Sequence, residues 1–167
     1  MSTGHDIFRQ TLSERGLETV QVTPEEVGTA IEEFVVGDEA VGIPGEDWPD
    51  SLPASVDWNP TPAALRSAKT GVTPAEFAIA DYGSLVLPTA PPACELVSLY
   101  VDRHVAVLDR SDVVPDMKAA FERLDGAIAE DYSDAIIATG PSATADMGEL
   151  VEGAHGPSEV RLVQVED

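Results

Sequence analysis

The stretch Val105-Ala106-Val107-Leu108-Asp109-Arg110-Ser111-Asp112, followed by apolar residues at Met117, Ala120, Phe121 and Leu124 and then by Ala135-Ile136-Ile137-Ala138-Thr139-Gly140-Pro141-Ser142, decides the fold class. VAVL is a short apolar run bounded by polar residues, the mark of a strand buried on both faces. The three-and-four spacing that follows predicts a helix from about Val114 to Leu124, with Ser111 and Asp112 as its cap. Ala135–Ala138 then reads as a second buried strand. Buried strands separated by a helix imply parallel neighbours, because a parallel pair needs a crossover. The expectation is an α/β protein whose mostly parallel sheet is covered by helices on both faces.

The same pattern extends in both directions. His5–Arg15 reads as a helix stopped at Gly16, and Leu17–Val22 as a short strand. Thr23-Pro24-Glu25-Glu26 caps a helix running to about Val36, whose apolar stripe is Val27, Ala30, Ile31 and Phe34. Ala40–Ile43 is a short buried strand. Residues 45–62 are loop around a strand at Ser55–Trp58, with Trp48 and Trp58 as packing residues. Phe77–Ala80 and Ser84–Leu87 are extended segments joined by a Tyr82-Gly83 turn. Val160–Val165 alternates and closes the chain as a strand.

The 167 residues make one domain, with 43% hydrophobic and 24% charged residues, a globular composition. Nine Lys and Arg stand against 31 Asp and Glu, a net charge of −22, and the carboxylates are spread from Asp6 to Asp167. That sign repels phosphate backbones and anionic membranes, so nucleic-acid binding and membrane insertion are not expected. The N-terminus lacks the basic and apolar regions of a signal peptide, which points to a cytoplasmic protein. The one cysteine, Cys94, permits no intrachain disulfide and no Cys-built zinc or iron–sulfur site. It falls in a loop without a neighbouring cation and reads as inert. Histidines at 5, 104 and 155 have no metal-ligand spacing, so no metal is expected. His104, opening VAVL, reads as a satisfied strand-edge histidine.

Three glycine-bearing segments carry the candidate chemistry. Thr139-Gly140-Pro141-Ser142-Ala143-Thr144-Ala145-Asp146 leaves a strand with small and hydroxyl side chains. In an open α/β sheet that is the carboxyl edge, where N–H and hydroxyl groups hold carboxylates or phosphates. An ordinary strand-to-helix cap has the same composition. Gly153-Ala154-His155-Gly156-Pro157 presents a histidine suited to proton transfer, or a tight turn that tolerates one. Ala80-Asp81-Tyr82-Gly83-Ser84 is a turn in which Gly83 permits positive φ and Ser84 can bond nearby backbone. Ser142, His155 and Asp146 are a serine-hydrolase set in type only, since no Gly-x-Ser-x-Gly elbow surrounds Ser142.

Taken in order, Gly71–Leu87, His104–Val107, Thr139–Asp146 and Gly153–Pro157 resemble the LUD-domain family, the lactate-utilisation protein C (LutC/YkgG) group, over roughly residues 70–165. The N-terminal 65 residues are a variable part. The resemblance implies a NagB/RpiA/CoA-transferase-like fold and a role in oxidising L-lactate to pyruvate beside two partner proteins that carry iron–sulfur clusters. Under it, Gly83, Ser84, Gly140, Ser142, Thr144 and Gly156 shape a small-anion pocket, and His155 and Asp146 are its acid–base candidates. Two positions depart from the family pattern. Ala143 stands where a basic residue is usual, and Asp81-Tyr82-Gly83 where Glu-Thr-Gly is usual. Either the charged contact is missing or another arginine, such as Arg103, replaces it. Two rival readings stay open: a stand-alone transferase- or ligase-like enzyme, and a non-catalytic assembly factor.

The dispersed acidic charge has its own consequence. Self-repulsion at this density destabilises the compact state in dilute buffer, and molar salt shortens the screening length to about 3 Å. A salt-adapted protein should melt at a much higher temperature in molar salt than in dilute buffer. Equal melting temperatures contradict salt adaptation.

Overall fold

The structure, a computed structural model, describes residues 4–88, 94–129, 135–146, 149–152 and 156–166. In chain order the elements are α1 (Gly4–Glu14), β1 (Glu18–Val22), α2 (Val27–Phe34), β2 (Ala40–Gly42), β3 (Val56–Asp57), α3 (Pro62–Ser67), β4 (Thr70–Pro74), β5 (Phe77–Ile79), β6 (Ser84–Pro88), α4 (Cys94–Tyr100), β7 (Arg103–Asp109), β8 (Val113–Val114), α5 (Met117–Ala129), β9 (Ala135–Thr139), β10 (Ala143–Asp146), β11 (Glu149–Glu152) and β12 (Glu159–Val165).

Six strands form one parallel sheet in the order β1-β12-β7-β4-β2-β3. β7 lies inside it, and His104 to Leu108 are all buried. Strand alternation divides them between two layers. Val105 and Val107 join Val72, Val163 and Val165 beneath the apolar stripe of α2. Ala106 and Leu108 join Leu162 beneath Phe8 and Leu12 of α1. The expected parallel sheet with helices on both faces is therefore present.

A second sheet, β8-β5-β6-β9, stands against the α1 face. Leu85 and Leu87 of β6 point into the core shared with the first sheet. Phe77, Ile79 and Val86 point the other way and are covered by Ala120 of α5. Here the sequence reading needs correction. β9 is not a buried strand of the parallel sheet. It pairs antiparallel with β6, and Ile137 is 38% exposed. A short apolar run reports burial potential but not its partner. Thr139–Ser142 leads not into a helix but into β10, which pairs antiparallel with β11.

Other boundaries move for local reasons. Arg110–Asp112 make a single 3₁₀ turn and Val113–Val114 pair with β5, so α5 begins only after Pro115. Its cap is Asp116, whose Oδ1 accepts from the Ala119 N–H at 2.8 Å. Pro24–Glu26 are also 3₁₀, and α2 ends at Phe34. Cys94 begins α4 rather than lying in a loop. β4, Thr-Gly-Val-Thr-Pro, lacks the apolar run of a core strand. Its threonines are buried by bonding: Thr70 Oγ1 donates to Val36 O at 2.9 Å, and Thr73 Oγ1 lies 2.9 Å from His104 Nε2. Trp48 and Trp58 pack edge to face with ring centroids 6.0 Å apart, as packing residues should.

Gly71 sets how closely α4 approaches the sheet. A Cβ there would lie 2.5 Å from the carbonyl oxygen of Val97. Gly71→Ala should therefore cost about 1–3 kcal/mol by forcing helix from sheet. Gly126→Ala, in an exposed position of α5 with open space around it, should gain about 0.5–1 kcal/mol from helix propensity. Thermal melts of the two variants check the pair. A neutral Gly71→Ala contradicts the packing described.

Candidate functional site

The three glycine-bearing turns meet where the second sheet abuts the first. Gly83, at φ +61°, turns the chain from β5 into β6. Ser84 lies opposite Thr139 in the β6–β9 ladder, and their hydroxyl oxygens are 2.7 Å apart. Gly140, at φ +68°, turns the chain out of β9. The Ser142 N–H then donates to the Pro157 carbonyl at 2.7 Å. Gly156 lies so close that a Cβ on it would be 3.1 Å from Ser142 Cβ. Gly83, Gly140, Ser142 and Gly156 all line one cavity of about 220 Å³.

Its apolar wall includes Leu85, Leu87, Ile136 and Val160, and Ser98, His104, Thr139 and Ser142 are its polar residues. Leu17 precedes β1, His104 is second in β7 and Val160 second in β12. The cavity thus sits at the amino ends of the parallel strands and at the carboxyl end of β9. The sequence reading expected the carboxyl edge. That holds for β9, which belongs to the other sheet. The carboxyl edge of the parallel sheet opens instead on a separate hollow of about 550 Å³, lined by Trp48, Glu76, Asp109, Asp112 and Arg123 among others. Arg123 there donates to Asp112 Oδ1 at 2.8 Å and to Glu76 O at 3.3 Å, and lies over the Phe77 ring.

The remaining candidates are placed as follows. Ser84 does not line the cavity: by alternation it shares the α5 side of β6 with Val86, and it holds Thr139. Thr144 and Asp146 lie on β10, in register with Val151 and Glu149, on the hairpin that leaves the lip after Ser142. His155 lies outside the described residues and immediately precedes Gly156. Two turn amides are committed internally, Gly83 N–H to Ala80 O at 3.3 Å and Ser142 N–H to Pro157 O. Arg103 does not replace the missing basic residue. It points to the α2 face, where it bonds Glu159 and donates to Phe34 O at 3.0 Å. No described Lys, Arg, Asp or Glu lines the cavity.

His104 is the titratable side chain among the described lining residues. It is 2% exposed, its Nε2 meets Thr73 Oγ1, and burial pushes its pKa down to about 4. The expectation of a satisfied histidine holds. Its place on the cavity wall was missed, although its parity with Ala106 and Leu108 was the available signal. Cys94 is fully buried, and burial raises its thiol to about 11, so it is not a nucleophile at neutral pH. Among the described residues no cluster of three His, Cys, Asp or Glu side chains could hold a metal ion. No described helix is long and apolar enough to cross a membrane.

The buried imidazole couples stability to pH. The unfolded chain takes a proton at His104 near its ordinary 6.5, the folded chain only near 4. The contribution is complete above pH 6.5 and is lost as pH falls through 4, roughly 3 kcal/mol in all. His104→Gln should flatten that part of the stability–pH profile measured by denaturant titration. An unchanged profile contradicts a buried neutral imidazole.

The chain is 31% identical over 133 residues to lactate utilization protein C of Bacillus velezensis, covering 73% of this chain and 54% of that protein. It is 29% identical over 131 residues to lactate utilization protein C of Bacillus subtilis, covering 73% and 55%. An uncharacterized protein YkgG of Escherichia coli is 30% identical over 151 residues, covering 79% and 65%. The chain thus spans about half the length of the first curated relatives it matches. A crystal structure of a DUF162 family protein from Deinococcus radiodurans shares the fold, with a TM-score of 0.67 over 99% of both chains at 19% identity. The LUD domain matches residues 6–165, nearly the whole chain, and the protein belongs to the LUD-domain family.

Proposed function

We propose that this protein is a subunit of an L-lactate-oxidising system, working beside partner proteins that carry iron–sulfur clusters, and that the cavity between its sheets holds a small carboxylate or phosphate. The observation that carries the reading is the convergence of Gly83, Gly140, Ser142 and Gly156, from three separate segments, on one cavity. Its volume of about 220 Å³ suits a molecule of a few heavy atoms; the liquid-volume share of one water is about 30 Å³. The names of the relatives supply the substrate class. The single cysteine supports placing iron–sulfur clusters in partners.

In this reading the glycines leave room for the ligand and Ser142 offers it a hydroxyl. Ser84 fixes the lip through Thr139. Thr144 and Asp146 extend the lip along β10, and His155 and Asp146 are the groups to move protons at the rim. The setting is a salt-rich cytoplasm, in keeping with the net charge of −22. A second reading, a stand-alone transferase- or ligase-like enzyme, is favoured by the hollow at the carboxyl edge of the parallel sheet, where α/β proteins commonly bind ligands. Turnover by the isolated chain separates it from the first.

Deletion of the gene should abolish growth on L-lactate as sole carbon source, and the tagged protein should co-purify with iron–sulfur proteins. L-Lactate or pyruvate should bind the isolated chain in calorimetry. Ser142→Ala should weaken that binding roughly tenfold, the loss of one hydrogen bond. Gly156→Val, which crowds Ser142, should abolish it. Undiminished growth on lactate contradicts the proposal.

A further inference from the structure

The cavity between the sheets presents a problem for an anion. Its walls are aliphatic side chains, hydroxyls and one imidazole, and among the described residues no Lys or Arg lines it. A carboxylate entering such a space loses hydration and gains no fixed counter-charge, which is unfavourable unless a positive charge arrives with it.

The groups around His104 come from every neighbouring element. On its own strand, Arg103 faces the α2 side and is bonded to Glu159. On β4, Gly71 is its register partner and Thr73 supplies the hydroxyl bonded to Nε2. On β12 its partner is Val160, while Glu159 and Arg161 pair with each other on the opposite face. α4 contributes Ser98 and Leu99, and the second sheet Leu85, Leu87 and Thr139. Arg15, exposed, lies against Gly83 without lining the cavity. His155, outside the described residues, adjoins Gly156 in the chain. The charged residues named here are thus paired on the far face or lie outside the lining.

We propose that His104 is the ligand-binding group of this cavity, meeting the carboxylate of a short 2-hydroxy or 2-keto acid and taking up one proton from solvent as that anion binds. The inference rests on the small-carboxylate reading given above. The counter-charge is made when it is needed. The empty cavity holds a neutral ring, in keeping with the pKa of about 4 that burial imposes. With the anion present, the imidazolium donates from Nε2 to Thr73 Oγ1 and from Nδ1 to the ligand carboxylate. A hydroxyl both donates and accepts, so the Thr73 bond persists in either protonation state and keeps the ring oriented.

The test is calorimetry of the full chain with L-lactate, repeated in two buffers of different ionisation enthalpy. The wild-type protein should take up close to one proton per lactate at pH 6. Its affinity should rise towards tenfold for each pH unit lowered between pH 7 and 5.5. His104→Gln, shown folded by its melt at pH 7.5, should bind at least tenfold more weakly at pH 6, with no proton uptake and a flat pH profile in whatever binding remains. If that variant does not fold, the ¹⁵N shifts of the wild-type His104 ring decide, since they should move to imidazolium values on adding lactate. Binding by the wild type without proton uptake overturns the proposal and leaves the carboxylate site standing. Uptake that survives in His104→Gln and disappears in His155→Gln overturns it too. No binding of lactate or pyruvate at all removes the small-carboxylate reading and this inference with it.

Discussion

The bond from the Ser142 N–H to the Pro157 carbonyl, 2.7 Å long, joins the two halves of the molecule at the site. Ser142 follows β9 of the second sheet, and Pro157 precedes β12 of the first. Gly156 permits the approach, since any side chain there would press on Ser142. On the other side of the lip Ser84 holds Thr139 through their hydroxyls. These contacts, with the left-handed turns at Gly83 and Gly140, define the cavity mouth. A buried hydrogen bond contributes about 1 kcal/mol net to stability, so their consequence is geometric more than energetic. They hold three distant segments at one place.

Behind the mouth lies the most deeply packed part of the sheet. β7 is buried on both faces, and α1, α2, α4 and the second sheet all close on it or its neighbours. The absent side chain of Gly71 lets α4 sit directly on the sheet beside His104. Charge is organised differently. Lys69, Arg103, Arg110, Lys118, Arg123 and Arg161 are all paired with carboxylates, on the surface or the α2 face. Exposed pairs of this kind add little stability. With most cations so engaged, the excess carboxylates face solvent, and the described walls of the cavity are uncharged.

Periodicity made the parallel sheet legible. Val105–Leu108 and the α2 stripe state their own burial, whereas the alternation of Val160–Val165 understates it, since Gln164 is buried as well. What was hidden depends on partners. β4 is buried through threonine hydroxyls and a glycine, which no hydrophobic pattern reports. β9 has the composition of a core strand but pairs with β6 at a half-exposed edge. The glycine-bearing segments meet at one cavity, and two of their glycines, Gly83 and Gly140, adopt the positive φ that such turns demand. Their edge of the sheet was misread, since that depends on which sheet β9 joins. His104 was legible as buried, but not as a cavity wall, because the wall exists only once Gly71 and α4 are in place.

We propose that the cavity at the junction of the sheets, rather than the hollow at the carboxyl edge, receives the small carboxylate. Amide ¹H–¹⁵N spectra of the full chain with added L-lactate test it most directly. The largest shifts should fall at Gly83, Gly140, Ser142 and Gly156. Shifts confined to Trp48, Glu76, Asp109 and Arg123 would place the ligand at the other edge of the parallel sheet and contradict the account.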